Sequence, residues 1–190
     1  STGATIAIIG GAKVADKIQV LRHLSAKVDT ILVGGGMVAA FYVAKGQSGG
    51  AADVSVEDQS AAMELLESGG ANVVLPADVI TTPEFYENSP ASICDSTEVP
   101  LDGFILDIGP RSATEYARII SIADTIIWNG PMGVFEWTEF AKGSVAVANA
   151  VADNKKSTSV IGGGSTAEIV GSLGLVNKIT HVSTGGGASL

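Results

Sequence analysis

Residues 5–24 read TIAIIGGAKVADKIQVLRHL. Apolar and β-branched residues come first, two glycines interrupt them, and Val14, Ile18, Leu21 and Leu24 then recur at helical spacing. The first run suits a strand buried on both faces, and the second a helix with one buried stripe. Strand, glycine turn and helix make one half of a β-α-β unit. The rest of the chain repeats the theme. Strands are expected over 5–9, 30–33, 72–75, 103–106, 125–128, 159–161 and 180–182. Helices are expected over 14–26, 37–44, 56–67, 113–123, 139–152 and 166–173. The fold class that follows is α/β: a doubly wound, mostly parallel sheet of about six strands with helices on both faces, Rossmann-like, joined by right-handed crossovers. The polar segment 81–100 carries three prolines. It is expected to form an excursion, a small hairpin, before residues 103–106 supply the fourth main strand.

Composition narrows the function. With 190 residues and 46% hydrophobic content, the chain can bury the core of one domain. A net charge of −9 argues against a general nucleic-acid surface. An acidic protein can still hold anions through backbone N–H groups, helix N-termini and a few placed lysines. Cys94 is the sole cysteine, so no internal disulfide forms, which fits a reducing, cytoplasmic setting. The longest uncharged apolar run, 30–44, is broken by three glycines and falls short of a membrane span, and no signal peptide is legible at the N-terminus. Both ends read as cuts through a larger protein.

Glycines sit at the expected strand ends: GGAK (10–13), GGGM (34–37), NGPMG (129–133), GGGST (162–166) and STGGGAS (183–189). Ligands of such folds bind at the C-terminal ends of the strands. Five glycine turns on one edge therefore point to a groove where backbone approaches an anion. GGGMVA (34–39) and GGGSTA (162–167) fit the dinucleotide pattern G-x-G-x-x-A, but no acid follows at ribose-binding distance after 162–167, and the first strand lacks the pattern. No G-x-x-x-x-G-K-[ST] loop occurs.

Lys13 and Lys17 stand four residues apart and are expected to share a helical face. Two cations at a helix N-terminus oppose the helix dipole, so a polyanion is expected between them. Glu136 follows a glycine turn, where a carboxylate can accept from ribose hydroxyls. Trp128 and Trp137 read as core or shoulder residues, His23 as surface, and His181 as a hydrogen-bonded core residue. Neither histidine joins a recognisable triad, and no cluster has metal-site spacing.

Taken together, GGAKVADKI (10–18), ILVGGGM (31–37), LDIGP (106–110), IWNGPMGVFE (127–136), VIGGGST (160–166) and HVSTGGGASL (181–190) resemble the C-terminal, nucleotide-binding domain of the phosphoglycerate kinase family. The motifs follow the family's order across residues 1–190. The resemblance implies reversible phosphoryl transfer from 1,3-bisphosphoglycerate to ADP, giving ATP and 3-phosphoglycerate. It implies Mg²⁺ with ADP/ATP as cofactor, a monomeric, cytoplasmic parent, and no nucleic-acid or membrane partner. Lys13 resembles the lysine that stabilises the phosphoryl group in flight, and Lys17 the one that holds the nucleotide phosphates. Gly35, Gly36 and Ile105 match the adenine slot. Asn129 matches a phosphate contact, Pro131 and Val134 the pocket lining, and Glu136 the ribose acceptor. Gly163, Gly164, Ser165 and Thr166 match the phosphate and Mg²⁺ loop. Gly186 and Gly187 match the turn that receives the transferring phosphoryl group.

Two positions depart from the family's pattern. Ser165 stands where a metal-binding aspartate is usual, and a hydroxyl is a weaker ligand for a hard cation. Ile105 stands where a glycine is usual and is expected to narrow the adenine slot. The domain that would bind phosphoglycerate is not part of this sequence, so the segment alone is expected to bind nucleotide and turn over little. Two alternatives accompany this reading: a non-catalytic nucleotide-binding module, marked by Ser165, and a dinucleotide-dependent oxidoreductase domain.

Overall fold

The structure, a computed structural model, describes residues 3–184. Its largest feature is a parallel sheet of six strands: β1 (Thr5–Ile9), β2 (Thr30–Val33), β3 (Asn72–Val74), β7 (Thr125–Asn129), β8 (Thr158–Gly162) and β9 (His181–Val182). Their spatial order is β3-β2-β1-β7-β8-β9. The chain starts in the middle, winds outward through β2 and β3, and returns to the other side of β1. The winding direction therefore reverses between β1 and β7, and this crevice is where such folds place ligands.

Among the described residues six α-helices cover the two faces. α1 (Val14–Ser25), α2 (Val38–Ala44) and α3 (Val56–Glu67) supply one core, with Leu21, Phe41 and Leu65 fully buried against Ala7, Ile9, Ile31 and Val33. α4 (Pro110–Ser121), α5 (Lys142–Asp153) and α6 (Gly164–Ser172) supply the other, with Tyr116, Val147 and Ile169 packed against Ile6, Ile8, Leu32 and Trp128. Alternate residues of β1 thus feed opposite cores, as a two-residue repeat requires. Among the described residues no helix is long and apolar enough to cross a membrane.

The expectation for residues 103–106 is corrected here. They lie in β6 (Phe104–Ile108), which does not enter the main sheet. β6 pairs antiparallel with β4 (Asp78–Thr82), which pairs antiparallel with β5 (Ser92–Asp95). The excursion is therefore the three-stranded sheet β5-β4-β6, larger than a lone hairpin. A short apolar run reads alike in a buried parallel strand and in a half-buried antiparallel one. What decides is the partner, here β4, whose other edge pairs with β5. Between Ile80 and Thr81 the register shifts by one residue, with Leu106 as the extra residue on β6.

The helix boundaries follow local chemistry. Ser55 caps α3 by accepting from the Asp58 N–H at 3.0 Å. Pro110 opens α4, where its missing N–H costs nothing. α2 is preceded by one 3₁₀ turn over Gly35–Met37, so the helix starts one residue later than expected.

Candidate functional site

The C-terminal ends of β1 and β7 meet through the Gly10 N–H, which donates to the Asn129 carbonyl at 2.9 Å. Gly130 follows at φ +96°, and a Cβ there would stand 2.1 Å from the Gly10 carbonyl oxygen. Only glycine lets the two turns approach so closely. The crevice they form is fixed further on both sides. The Gly130 N–H donates to Thr166 Oγ1 at 2.7 Å, and the Gly35 N–H donates to the Met132 carbonyl at 3.0 Å.

Lys17 reaches into this crevice. Its ammonium donates to the Gly10 carbonyl and, at 3.1 Å, to Asn129 Oδ1. An ammonium has three N–H donors, and two are used here. Burial holds the Lys17 pKa below its ordinary value, because the charged form loses hydration. With Asn129 Oδ1 committed to the lysine, Asn129 Nδ2 is buried and, among the described residues, has no partner. A buried unpaired donor carries a desolvation cost that an acceptor from outside would remove.

Lys13 behaves differently from expectation. It is the residue before α1, with extended backbone at φ −132° and ψ 131°, so the two lysines do not share a helical face. A helical side chain leans toward its own N-terminus, which carries Lys17 back under Gly10. Lys13 instead is half-exposed, with Nζ 4.0 Å from Asp58 Oδ2.

Beside the crevice lies a cavity of about 570 Å³, lined by Lys13, Gly35, Gly36, Ile105, Pro131 and Val134 among others. Six residues singled out from the sequence therefore share one wall system. Ile105 does stand at the cavity wall, where its side chain also packs on the core. Small residues of α2, Ala39 and Ala40, form part of the floor. A second group lies at the crevice itself: Lys17, Asn129, Gly163 and Thr166. A Cβ on Gly163 would sit 3.5 Å from Asn129 Oδ1. Thr166 is fully buried, and its hydroxyl serves the Gly130 turn. Gly164 and Ser165 are exposed at the start of α6. Glu136 is exposed and is not among the residues that line the cavity. Gly186 and Gly187 lie outside the described residues.

Two features, Phe85 and Asp58, escape the sequence reading. Phe85 closes the cavity mouth, 58% exposed, with its ring 5.9 Å from Phe104 and 5.3 Å from Trp137. An aromatic residue placed after a proline in a polar excursion was the available signal. Asp58 lines the cavity with its side chain buried and accepts from the Ala15 N–H at 2.8 Å. His181 is exposed in β9, a two-residue edge strand, so the expected core role is corrected.

A sequence model of the family described as "Phosphoglycerate kinase" matches residues 1–190. The chain belongs to the phosphoglycerate kinase family. It is 45% identical over 186 residues to a phosphoglycerate kinase of Lacticaseibacillus casei, covering 97% of this chain and 46% of that protein. The phosphoglycerate kinase of Enterococcus faecalis is also 45% identical, over 185 residues, covering 97% and 47%. The solved phosphoglycerate kinase of Coxiella burnetii superposes with a TM-score of 0.91 at 37% identity, covering 97% of this chain and 48% of that one. The chain thus spans about half the length of the relatives it matches. Membership of a kinase family leaves the oxidoreductase alternative without support.

Proposed function

We propose that residues 1–190 form the nucleotide-binding half of a phosphoglycerate kinase, in which ADP accepts a phosphoryl group from 1,3-bisphosphoglycerate to give ATP and 3-phosphoglycerate. The observation that carries this reading is the Lys17–Asn129 pair at the switch point, which leaves Asn129 Nδ2 buried and unpaired. Such donors suit phosphate oxygens, and the neighbouring apolar cavity suits a nucleobase. Phosphoryl transfer asks for positioning and charge neutralisation, with no covalent nucleophile from the protein. Lys17 and Asn129 then hold the nucleotide phosphates, and Lys13 swings from Asp58 to the transferring group. Gly35, Gly36, Ile105, Pro131 and Val134 enclose the base, and Glu136 serves the ribose if the loop that bears it closes inward. Gly186 and Gly187 belong with the acceptor turn of the transferred group. The phosphoglycerate is bound by a separate domain, in a monomeric, cytoplasmic enzyme without nucleic-acid or membrane partners.

The donors at the start of α6 are backbone N–H groups and the Ser165 hydroxyl. That set fits an anion better than a resident hard cation, which prefers carboxylates. Among the described residues no cluster of His, Cys, Asp and Glu is arranged to hold a metal. Mg²⁺ is therefore assigned to the incoming nucleotide, whose phosphates it neutralises, with Ser165 at most a weak additional ligand.

Calorimetry with ADP tests the site. The wild-type chain is expected to bind, and Lys17→Ala to weaken binding about tenfold or more, the worth of a charged hydrogen bond. Equal affinity of the two proteins rejects the phosphate role of Lys17. Ser165 also favours the non-catalytic reading, and ATP formation by a full-length protein bearing this segment decides against it.

A further inference from the structure

Asp107 on β6 is 2% exposed and has no place in the site described above. Its Oδ1 accepts from the Ile108 N–H and its Oδ2 from the Gly143 N–H, both at 2.9 Å. Gly143 lies in the first turn of α5, so this carboxylate caps a helix from another element. Glycine is required on both sides of it. A Cβ on Gly133 would stand 2.6 Å from Oδ1, and one on Gly143 2.4 Å from the same atom.

The same turn of α5 holds the cavity wall. Ser144 Oγ accepts from the Met132 N–H at 2.9 Å, and the Val134 N–H donates to the Leu106 carbonyl at 2.9 Å. Residues 132–134 are thus pinned between β6 and the start of α5, and Asp107 pins those two to each other. Gly133 and Val134 line the 570 Å³ cavity. Asp107 itself lines a second cavity of about 490 Å³, with Ile80, Ile93 and Ala113. That second cavity gives solvent protons a path to the carboxyl.

We propose that Asp107 is a positioning residue that couples the protonation of one buried carboxyl to the wall of the nucleotide cavity. The proposal rests on the nucleotide reading of that cavity. As the carboxylate, Asp107 places an anion at the N-terminus of α5 and satisfies two N–H groups. On protonation the helix loses that anion and one oxygen becomes a poor acceptor. The first turn of α5 is then released, and residues 132–134 with it.

The charged surroundings permit titration near neutrality. Desolvation pushes the Asp107 pKa up to about 7, opposed by the Gly143 and Ile108 N–H groups and by the Lys142 charge. Lys142 is the cation that faces it from α5, and it is shared with Glu139, whose Oε2 lies 3.5 Å from Lys142 Nζ. β4, β5 and α4 present apolar or uncharged lining to the same cavity. The Asp78, Asp95 and Arg111 group forms a separate ion-paired set at the start of α4.

Two measurements decide the matter. Carbon-detected NMR of the ligand-free chain follows the Asp107 carboxyl, while amide shifts report Gly133, Val134 and Gly143, from about pH 5 to about pH 9. One shared midpoint near 7 is expected. A carboxyl midpoint below about 5, or wall amides that do not follow the carboxyl, overturns the proposal. Calorimetry then compares ADP affinity of the wild type with Asp107→Asn, so that the titration of ADP itself cancels in the ratio. The wild-type advantage is expected to grow about threefold to tenfold between pH 6 and pH 8, the worth of one buried hydrogen bond. A ratio that stays flat overturns the coupling. Absence of ADP binding to either protein would instead sink the nucleotide reading, and the NMR result would still decide whether Asp107 governs the wall.

Discussion

α5 and α6 follow neighbouring parallel strands, β7 and β8, yet their first turns are filled in opposite ways. The N-terminus of α5 receives the Asp107 carboxylate through the Gly143 N–H. α4 is treated alike: Asp78, 1% exposed, accepts from the Arg111 N–H at 3.1 Å and the Ser112 N–H at 2.8 Å. At α1, Asp58 accepts from the Ala15 N–H. Among the described residues α6 has no side-chain cap; it opens on Gly163 at φ +95°, with Gly164 and Ser165 exposed. A helix N-terminus attracts an anion, and a fold that needs only stability supplies one from its own carboxylates. Where glycines hold the turn open and no carboxylate enters, an anion from outside is favoured. The three filled termini set the contrast for α6, whose open start fits the proposed phosphate site.

The comparison breaks most visibly at Asp78. Asp78→Ala leaves the Arg111 and Ser112 N–H groups without their acceptor, while the Ser112 hydroxyl keeps only the Asp78 main chain. A loss of about 3 kcal/mol is expected in chemical denaturation, read as a lower midpoint at unchanged slope. A loss below about 1 kcal/mol would mean that the carboxylates at helix starts are incidental.

Asp107 sharpens the same point through pH. Its carboxyl titrates near the ordinary 3.9 when unfolded and near 7 when folded. The folded state therefore binds the extra proton between about pH 4 and about pH 7. Stability from this group is full below about pH 4, declines as pH rises toward 7, and stays at the lower value above that. The wild type should thus gain about 3 kcal/mol relative to Asp107→Asn on going from pH 8 to pH 5. The difference between the two proteins isolates this group from the other carboxylates. A pH-independent difference would show that burial does not raise this pKa. Acid stabilises the fold through Asp107 even as it frees the first turn of α5.

These carboxylates also mark where sequence reading stops. β1 and α1 are legible because every determinant is local: β-branched residues, a glycine pair and a helical stripe within residues 5–24. The Asp–helix contacts span 33 to 43 residues, and no local pattern announces them. LDIGP (106–110) stands out as a motif, but nothing within it says that Asp107 faces α5 or that β6 pairs with β4. Lys17 was legible from its place after a glycine turn. The shared face expected of Lys13 and Lys17 failed because the helix expected over 14–26 already leaves Lys13 outside it, as α1 does. Phe85 reaches the cavity only because the β4–β5 connection folds back over it.

The smallest expected effect makes α6 resemble its neighbours. Ser165→Asp places a carboxylate at the open N-terminus, with no distant partner needed. Without divalent metal, that charge repels the nucleotide phosphates and competes for the same N–H groups. With Mg²⁺ present it becomes a hard oxygen ligand, and the repulsion turns into bridging through the cation. The site is exposed, so screening limits both effects. ADP affinity should fall about threefold in EDTA and return to the wild-type value or better with Mg²⁺, raising the Mg²⁺ dependence of binding. Fluorescence titration with a labelled ADP in the two buffers reads this directly. If the substitution leaves both affinities unchanged, the phosphates do not sit at α6. The open terminus would then be a product of glycine-rich turn chemistry alone, and the contrast with α5 would lose its meaning.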